Sequence, residues 1–502
     1  MSEHHEVERA YAVGPDDVLP DLGALRGVAS VTEPRTATLV ATYLDTDDLS
    51  LLRAGVTLRR RTGGDDEGWH LKVPAGDGRD EVHRPLGTEG VPADLARLVL
   101  GWTRGRVLGP VALIETVRTT TQLRDDTGAV LAEVADDVVV GTPADGREAL
   151  AWRELEVELV GAGPDLLDAA DDLLAAASDI HPRTEQRKIG TVLAERLAAV
   201  PTPPVADRDG AAGPVLLVRL HEQVAALQRS DCDVRRGVDD GVHQLRVACR
   251  RLRGALATFR PLVDRAVTDP VRDELGWLAR TLGEGRDAEV VHDRLRALVD
   301  DLPADLVVGP VRARLDRSFA DRRGSADRDA QELLDSERYL RLLDRLAELT
   351  TAPPWTDVAD EPADTLMTQR VARDYRRLRR CVDHVDGSDP AAHDVALHEA
   401  RKAAKRLRYA CEVLEPWWGK DATRLRKAVQ EITRVLGDRQ DAVVGAVDLV
   451  RIAHEATAAG ENAFTYGVLH ARDQARSREL EAEFELVWAS ASRRGLRDWL
   501  EA

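Results

Sequence analysis

Two rhythms of apolar and polar residues divide the chain. Over residues 1–200 the segments are short and often alternate: "TLVATYLDT", "VTLRRRTG", "GWHLKVP", "EVHRPL", "VLAEVADDVVVG" and "WRELEVELV", set apart by Gly, Pro or Asp. Period-two alternation between turn residues predicts half-buried β-strands. Helical interruptions are predicted at "PADLARLVLGW" and "DLLDAADDLLAAAS". The stretch "AVPTPPVADRDGAAGP" then reads as a linker, taken as 201–213. From 214 to 502 apolar residues recur at three- and four-residue intervals in long runs of Ala, Leu, Arg and Glu, which predicts helices throughout.

The helical half repeats itself. "VHQLRVACRRLR" at 242–253 matches "LHEARKAAKRLR" at 397–408, and "LGEGRDA" at 282–288 matches "LGDRQDA" at 436–442 at nearly the same distance. Two signatures in step predict two related helical-bundle units. The first signature sets His243, Arg246, Arg250 and Arg253 in one copy, and His398, Arg401, Lys405 and Arg408 in the other. That spacing places each set on one helical face. Beside it runs an apolar face of Leu245, Ala248, Leu252 and Leu256, matched by Ala400, Ala403, Leu407 and Ala410. Each helix can therefore dock in a core while showing a basic ridge. A third segment, "RVARDYRRLRR", adds Arg373, Arg376, Arg377 and Arg380.

Like charges so spaced repel. The ridge is either a solvated face answered by acids on neighbouring helices or a site for a polyanion, whose phosphate oxygens suit the guanidinium fork. The histidines could donate to phosphate or satisfy a buried carbonyl. In the second signature Gly283 and Gly437 are expected to end helices, with Asp287 and Asp441 capping the next. Arg286 is a weaker candidate for reaching the ridge.

The strand half has charged faces of its own. "EVERAYAV" puts Glu6 and Glu8 on one face, and "WRELEVEL" does the same with Glu154, Glu156 and Glu158. Arg59, Arg61 and Lys72 lie on strands with the same alternation, and Arg118 and Lys188 are further candidates. These faces could pair across the outside of a sheet. Inside a closed barrel, the acids could instead hold Mg2+ or Mn2+ and the cations phosphate oxygens. Leu155, Val157 and Leu159 would pack against helices in either case.

Composition narrows the choice. With 89 Asp+Glu against 70 Lys+Arg the net charge is −19, which argues against a general nucleic-acid binder and confines any anion site to local features. A length of 502 residues calls for two or three domains. Apolar runs such as "PVALI" and "PVLLV" are too short to span a bilayer, and "MSEHHEVERAY" lacks the apolar core of a secretion signal. The four cysteines show no C-x-x-C spacing, which disfavours a zinc or disulfide framework and favours a reduced cytoplasm.

Both halves resemble known families. The paired helical signatures, each followed by its "LG…D" stretch, resemble the CHAD family over about 214–502. That resemblance implies a helical bundle whose basic channel binds inorganic polyphosphate. "EVER", "YLDTDDLSLLRAGVTLRRR", "GWHLKVP", "ELEVEL" and the closing Lys188 together resemble the CYTH, or triphosphate-tunnel, family over most of 1–200. This implies an eight-stranded antiparallel tunnel with flanking helices, binding a triphosphate group and Mg2+ or Mn2+. Glu6, Glu8, Glu154, Glu156 and Glu158 would be metal-side acids, and Arg59, Arg61, Lys72, Arg118 and Lys188 phosphate-side cations. Lys72 and Lys188 are the candidates for assisting proton transfer. One departure stands out: the family's Glu-x-Glu-x-Lys ends here in Ala10. Thr119, Thr120 and Thr121 also stand where a second cation often follows Arg118.

The expected protein is an α+β, cytoplasmic inorganic triphosphatase that splits tripolyphosphate into pyrophosphate and phosphate. Its helical domain would bind polyphosphate and associate with polyphosphate granules, without membrane or nucleic-acid partners. The rival is a non-catalytic polyphosphate-binding or sensing protein with a degenerate tunnel, favoured by Ala10 and disfavoured by retention of all five acids. An enzyme for an organic triphosphate ranks lowest, because no aromatic or Gly-rich nucleotide pocket stands out.

Overall fold

The alternating segments form one antiparallel sheet. The computed structural model describes residues 2–500 apart from 88–89, 179, 184–186, 200–204, 388 and 390–391; side chains at 2–3, 177–178, 284–287 and 321–327 lie outside the description. Arg286 and Asp287 fall among the latter. The chain divides into two compact units, Met1–Pro201 and Thr202–Ala502.

In the first unit the strands are β1 (Ser2–Glu6), β2 (Glu8–Val13), β3 (Ser30–Val31), β4 (Arg35–Asp45), β5 (Thr57–Thr62), β6 (Gly68–Ala75), β7 (Gly78–Arg84), β8 (Gly109–Arg124), β9 (Val130–Pro143) and β10 (Leu150–Leu159). Their order is β1-β7-β6-β5-β4-β8-β9-β10-β2, with β3 beside β8. The two ends of this order, β1 and β2, are separated along the chain by Val7 alone, so the sheet wraps into a barrel-like layer. Ten strands replace the expected eight because the first is broken at Val7 and the two-residue β3 is added. Short helices α1 (Ser50–Arg53), α2 (Ala93–Leu98) and α3 (Leu100–Thr103) interrupt the strands, and α4 (Asp165–Ser178), α5 (Lys188–Val192) and α6 (Ala194–Ala198) follow them.

Alternation sends two sets of residues to opposite faces. Leu155 and Val157 point outward and are buried against Leu166, Leu167, Ala170 and Leu174 of α4. The inner face carries the charged positions and is plugged at one end by α5, whose Ile189 and Val192 pack on Ala41, Ile114 and Val139. That plug needs Gly141 on β9, where an added Cβ would stand 2.3 Å from Val192.

The second unit is helical: α7 (Ala212–Arg236), α8 (Gly241–Thr258), α9 (Arg265–Thr281), α10 (Gly283–Asp300), α11 (Val311–Leu334), α12 (Glu337–Thr351), α13 (Ala363–Asp386), α14 (His393–Ala458) and α15 (Phe464–Ala491). The helix α7 begins inside the stretch read as linker. A break at Gly419 (φ 52°, ψ −124°) divides α14. The expected apolar faces are all buried, Leu245, Ala248, Leu252 and Leu256 from α8 and Ala400, Ala403, Leu407 and Ala410 from α14, in one core. A second core joins α10, α11, the later part of α14 and α15. Gly437 and Asp441 lie inside α14 and end or cap nothing, while Gly283 opens α10 rather than closing a helix. The glycine at 437 serves packing instead: an added Cβ would touch Arg401 at 3.5 Å. No helix among the described residues is long and apolar enough to cross a membrane.

Candidate active site and anion-binding ridge

Strand register gathers the charged residues of the first unit. Glu8 faces Glu158, which faces Glu133; Arg118 faces Asp137, which faces Glu154; Lys72 faces Glu81, which faces His4. The helix start at Lys188 directs its side chain to the same interior. All five expected cations, Arg59, Arg61, Lys72, Arg118 and Lys188, line one cavity of about 430 Å³, together with Glu6, Glu8, Glu156 and Glu158. Glu154 does not line it. That carboxylate is 1% exposed and is held from behind by Arg183 and by the Trp152 indole N–H at 2.7 Å.

Two carboxylate groups stand out. Lys188 Nζ meets Asp137 at 2.9 Å and Glu154 at 2.6 Å, and contacts Glu156 as well. Arg118 grips Asp137 with both arms, at 2.8 and 2.6 Å, and also reaches Glu156. On the other side Glu6 and Glu81 lie with His4, whose Nε2 is 3.0 Å from Glu6 and 3.5 Å from Glu81. Lys72 contacts Glu6, and His70 Nδ1 is 2.6 Å from Glu81. In each trio, His4–Glu6–Glu81 and Asp137–Glu154–Glu156, the ligand atoms lie within 4.8 Å of one another.

Burial sets the protonation of these groups. It opposes the charge of Lys72 and Lys188, but Glu8 and Glu81 in one case, and Glu156, Asp137 and Glu154 in the other, outweigh it and raise both pKa values. Burial also raises Glu156, yet Lys188 and Arg118 overcome it and hold that carboxyl well below its usual range. Glu6 is pushed up to about 8 by burial and its close neighbour Glu81. Burial, with Glu8, Glu133 and Glu156 adding, raises Glu158. Arg61 falls to about 9 through burial and the nearness of Arg59 and Arg118.

Each of the two trios is spaced to share a divalent ion, and a further set of carboxylates adjoins them in the sheet. Glu8, Glu133 and Glu158 are neighbours in register, and the only carboxylate of the three within ion-pair distance of a cation among the described residues is Glu8, 3.6 Å from Arg79. Oxygen-only donors on a strand face suit a hard cation. Sequence reasoning missed Glu81, Glu133 and Asp137. The signal was present as alternation in "AEVADD" and "RDEVHR", but assigning a face requires the partner strand's register. It also missed Arg183. At Ala10, in register with Glu156 and 2% exposed, the wall carries no charge. The Arg183 backbone N–H instead donates to the Ala10 carbonyl at 2.8 Å while its side chain holds Glu154.

In the second unit α8 packs on α14, with Gly254 against Tyr409, where an added Cβ would stand at 3.2 Å. This brings the two ridges together. Lys405 is lowered to about 8 by burial and then by Arg401, Arg250 and Arg408. Arg250 Nε lies 3.4 Å from the Tyr409 hydroxyl, and the Arg408 guanidinium sits 4.7 Å over that ring. Arg253 lies against Gly276. Of the histidines, His398 Nδ1 is 3.2 Å from the Gln440 side-chain oxygen, and His243 is exposed. Arg373 is not among these; it lines a second cavity with Arg377 and Arg380, and Arg376 lines neither.

A charged antiparallel barrel joined in one chain to a helical unit with paired basic ridges defines the class of protein. The family model for the CYTH domain matches residues 4–188, and that for the CHAD domain residues 218–449. The chain belongs to the family that joins these two domains. It is 36% identical over 496 residues to the uncharacterized proteins Rv2226 and MT2285 of Mycobacterium tuberculosis (strains ATCC 25618 / H37Rv and CDC 1551 / Oshkosh), covering 94% of this chain and 93% of each relative. A solved structure of PptA from Streptomyces chartreusis aligns with 56% of this chain and 99% of its own, at 24% identity and a TM-score of 0.49.

Proposed function

We propose that the first unit hydrolyses inorganic triphosphate and short-chain polyphosphate, and that the second binds polyphosphate. The observation that carries the reading is the convergence of Arg59, Arg61, Lys72, Arg118 and Lys188 with Glu6, Glu8, Glu156 and Glu158 on one cavity. A linear triphosphate needs several fixed cations along its length, and phosphoryl transfer is accelerated mainly by positioning and charge stabilisation.

In this reading the five cations orient the chain and neutralise its oxygens. Lys72 and Lys188, whose charge is reinforced by neighbouring acids, act as fixed positive charge on the phosphate oxygens, and their raised pKa values argue against a direct part in proton transfer. Glu6, Glu8, Glu154, Glu156 and Glu158 form the acidic side, with Glu8 and Glu158 best placed to hold Mg2+ or Mn2+ and Glu154 supporting from behind. A bound divalent ion would supply a water of lowered pKa and neutralise phosphate charge.

In the second unit, His243, Arg246, Arg250, Arg253, His398, Arg401, Lys405 and Arg408, with Arg373 and Arg376 of α13, would bind the longer chain. We read the unit as two related halves carrying the same ridge, and its tethering to the barrel as a way of raising local substrate concentration in the cytoplasm. The second reading, binding without catalysis, is favoured by the uncharged wall at Ala10. Phosphate release from tripolyphosphate, measured beside Glu156→Gln, separates the two: release confined to the unaltered protein supports the hydrolase, and equal background release excludes it.

A further inference from the structure

The α8 ridge leads into a pocket. In steps of three and four from Arg246, Arg250 and Arg253, the same helical direction continues through Ala257 to Arg260, and both line a cavity of about 520 Å³. Arg272 also lines it, and after burial it is Arg272, with Arg280, that lowers the Arg253 pKa. The cavity is thus in electrostatic continuity with the ridge.

Eight arginines face one carboxylate there, Asp374. Asp374 is 3% exposed and already accepts from the Thr258 hydroxyl at 2.5 Å and Arg406 Nε at 2.9 Å. Arg370 is taken up by the Thr258 carbonyl at 3.0 Å. Outside the lining, Asp269 answers Arg260, Arg265 and Arg272, yet Nε of Arg260 and of Arg272 is buried without a hydrogen-bond partner. Arg373, Arg377 and Arg380 have no carboxylate at ion-pair distance among the described residues. So large a local excess of positive charge, in a chain of net charge −19, calls for a compact anion of high charge. The volume falls in the range of small-ligand pockets.

The chemistry of a linear phosphate chain distinguishes its ends. Each internal unit carries one negative charge, whereas a terminal phosphoryl group loses a second proton near about pH 6. A ridge of single cations suits the interior, and converging guanidinium forks suit the doubly charged end. We propose that this arginine basin is the subsite for the terminal phosphate, so that the second unit engages polyphosphate from an end. The proposal rests on the ridge binding polyphosphate.

The test compares linear chains of one length, with free ends or with both ends capped by a neutral amine as phosphoramidates. Binding to the full chain is followed by calorimetry. Capping should weaken binding to the unaltered protein about tenfold, the worth of one charge-assisted contact. Arg373→Ala/Arg377→Ala, both exposed positions, should bind free and capped chains alike. Arg250→Ala/Lys405→Ala should weaken both chains and keep the preference. Arg379→Ala, an exposed arginine outside the basin, should change neither. Equal binding of the two chains by the unaltered protein, a preference surviving in Arg373→Ala/Arg377→Ala, or one lost in Arg379→Ala overturns the end subsite and leaves the ridge standing. Failure of both chains to bind the unaltered protein removes the ridge and the end subsite together.

Discussion

At Ala10 the barrel wall lacks the charge that the family resemblance leads one to expect, and the acids nearby are held by other cations. Asp137, Glu154 and Glu156 are matched by Lys188, Arg118 and Arg183, and the last, from beyond α4, holds Glu154, which is in register with Ala12. Removing one partner of a buried ion pair leaves an uncompensated charge, which costs about 3–5 kcal/mol when nothing else remains. Because Lys188 still meets Glu154, Arg183→Ala should destabilise the protein by about 2 kcal/mol in urea unfolding. Adding Ala10→Lys should recover part of that loss, since the new amine stands in register with Glu156. A double variant no more stable than Arg183→Ala alone would show that the two positions do not substitute for each other. Lys405 makes a pH prediction. Its pKa is lowered to about 8 by burial and neighbouring arginines. A bound polyanion favours the protonated amine, so binding takes up a proton above that value. Polyphosphate affinity should fall as pH rises from 7 to 9, and Lys405→Arg, which keeps its charge, should flatten the profile.

Elements differ in how far the sequence reveals them. Alternation identified β5, β6 and β10 with their inward Arg59, Arg61, Lys72 and Glu156, because a face is a local property of a strand. The sixteen-residue β8 was not assigned, since its "PVALI" start and threonine-rich end share no single rhythm. Glu81, Glu133 and Asp137 become site residues only through cross-strand register, which one strand cannot disclose. The expected helix end at Gly437 failed for a related reason: a glycine that makes room for Arg401 reads the same as one that terminates. The buried apolar faces of α8 and α14 were legible from spacing, whereas their mutual contact was not. That contact passes through Gly254 and Tyr409. Gly254→Val should therefore force α8 from α14, lower stability by about 1–3 kcal/mol, and weaken polyphosphate binding in calorimetry by separating the ridges.

At the scale of the molecule, a net charge of −19 coexists with a mixed-charge cavity in the barrel and basic ridges in the helical unit, each described within its own unit. In the barrel the cations are already paired: Lys72 with Glu6, Lys188 with Glu156, Arg118 with Asp137. A triphosphate that draws those cations away leaves buried carboxylates behind, which a divalent ion can neutralise. Tripolyphosphate and metal should accordingly bind together, and chelating the metal should weaken tripolyphosphate binding in calorimetry by tenfold or more, about 1.4 kcal/mol. The central claim is that this interior is catalytic. Phosphate release from tripolyphosphate by the full chain, with Mg2+ or Mn2+, tests it most directly. The account predicts steady release that falls at least a hundredfold, about 2.7 kcal/mol, in Glu156→Gln. Release by the unaltered protein no faster than by that variant, with tripolyphosphate still bound, would contradict it.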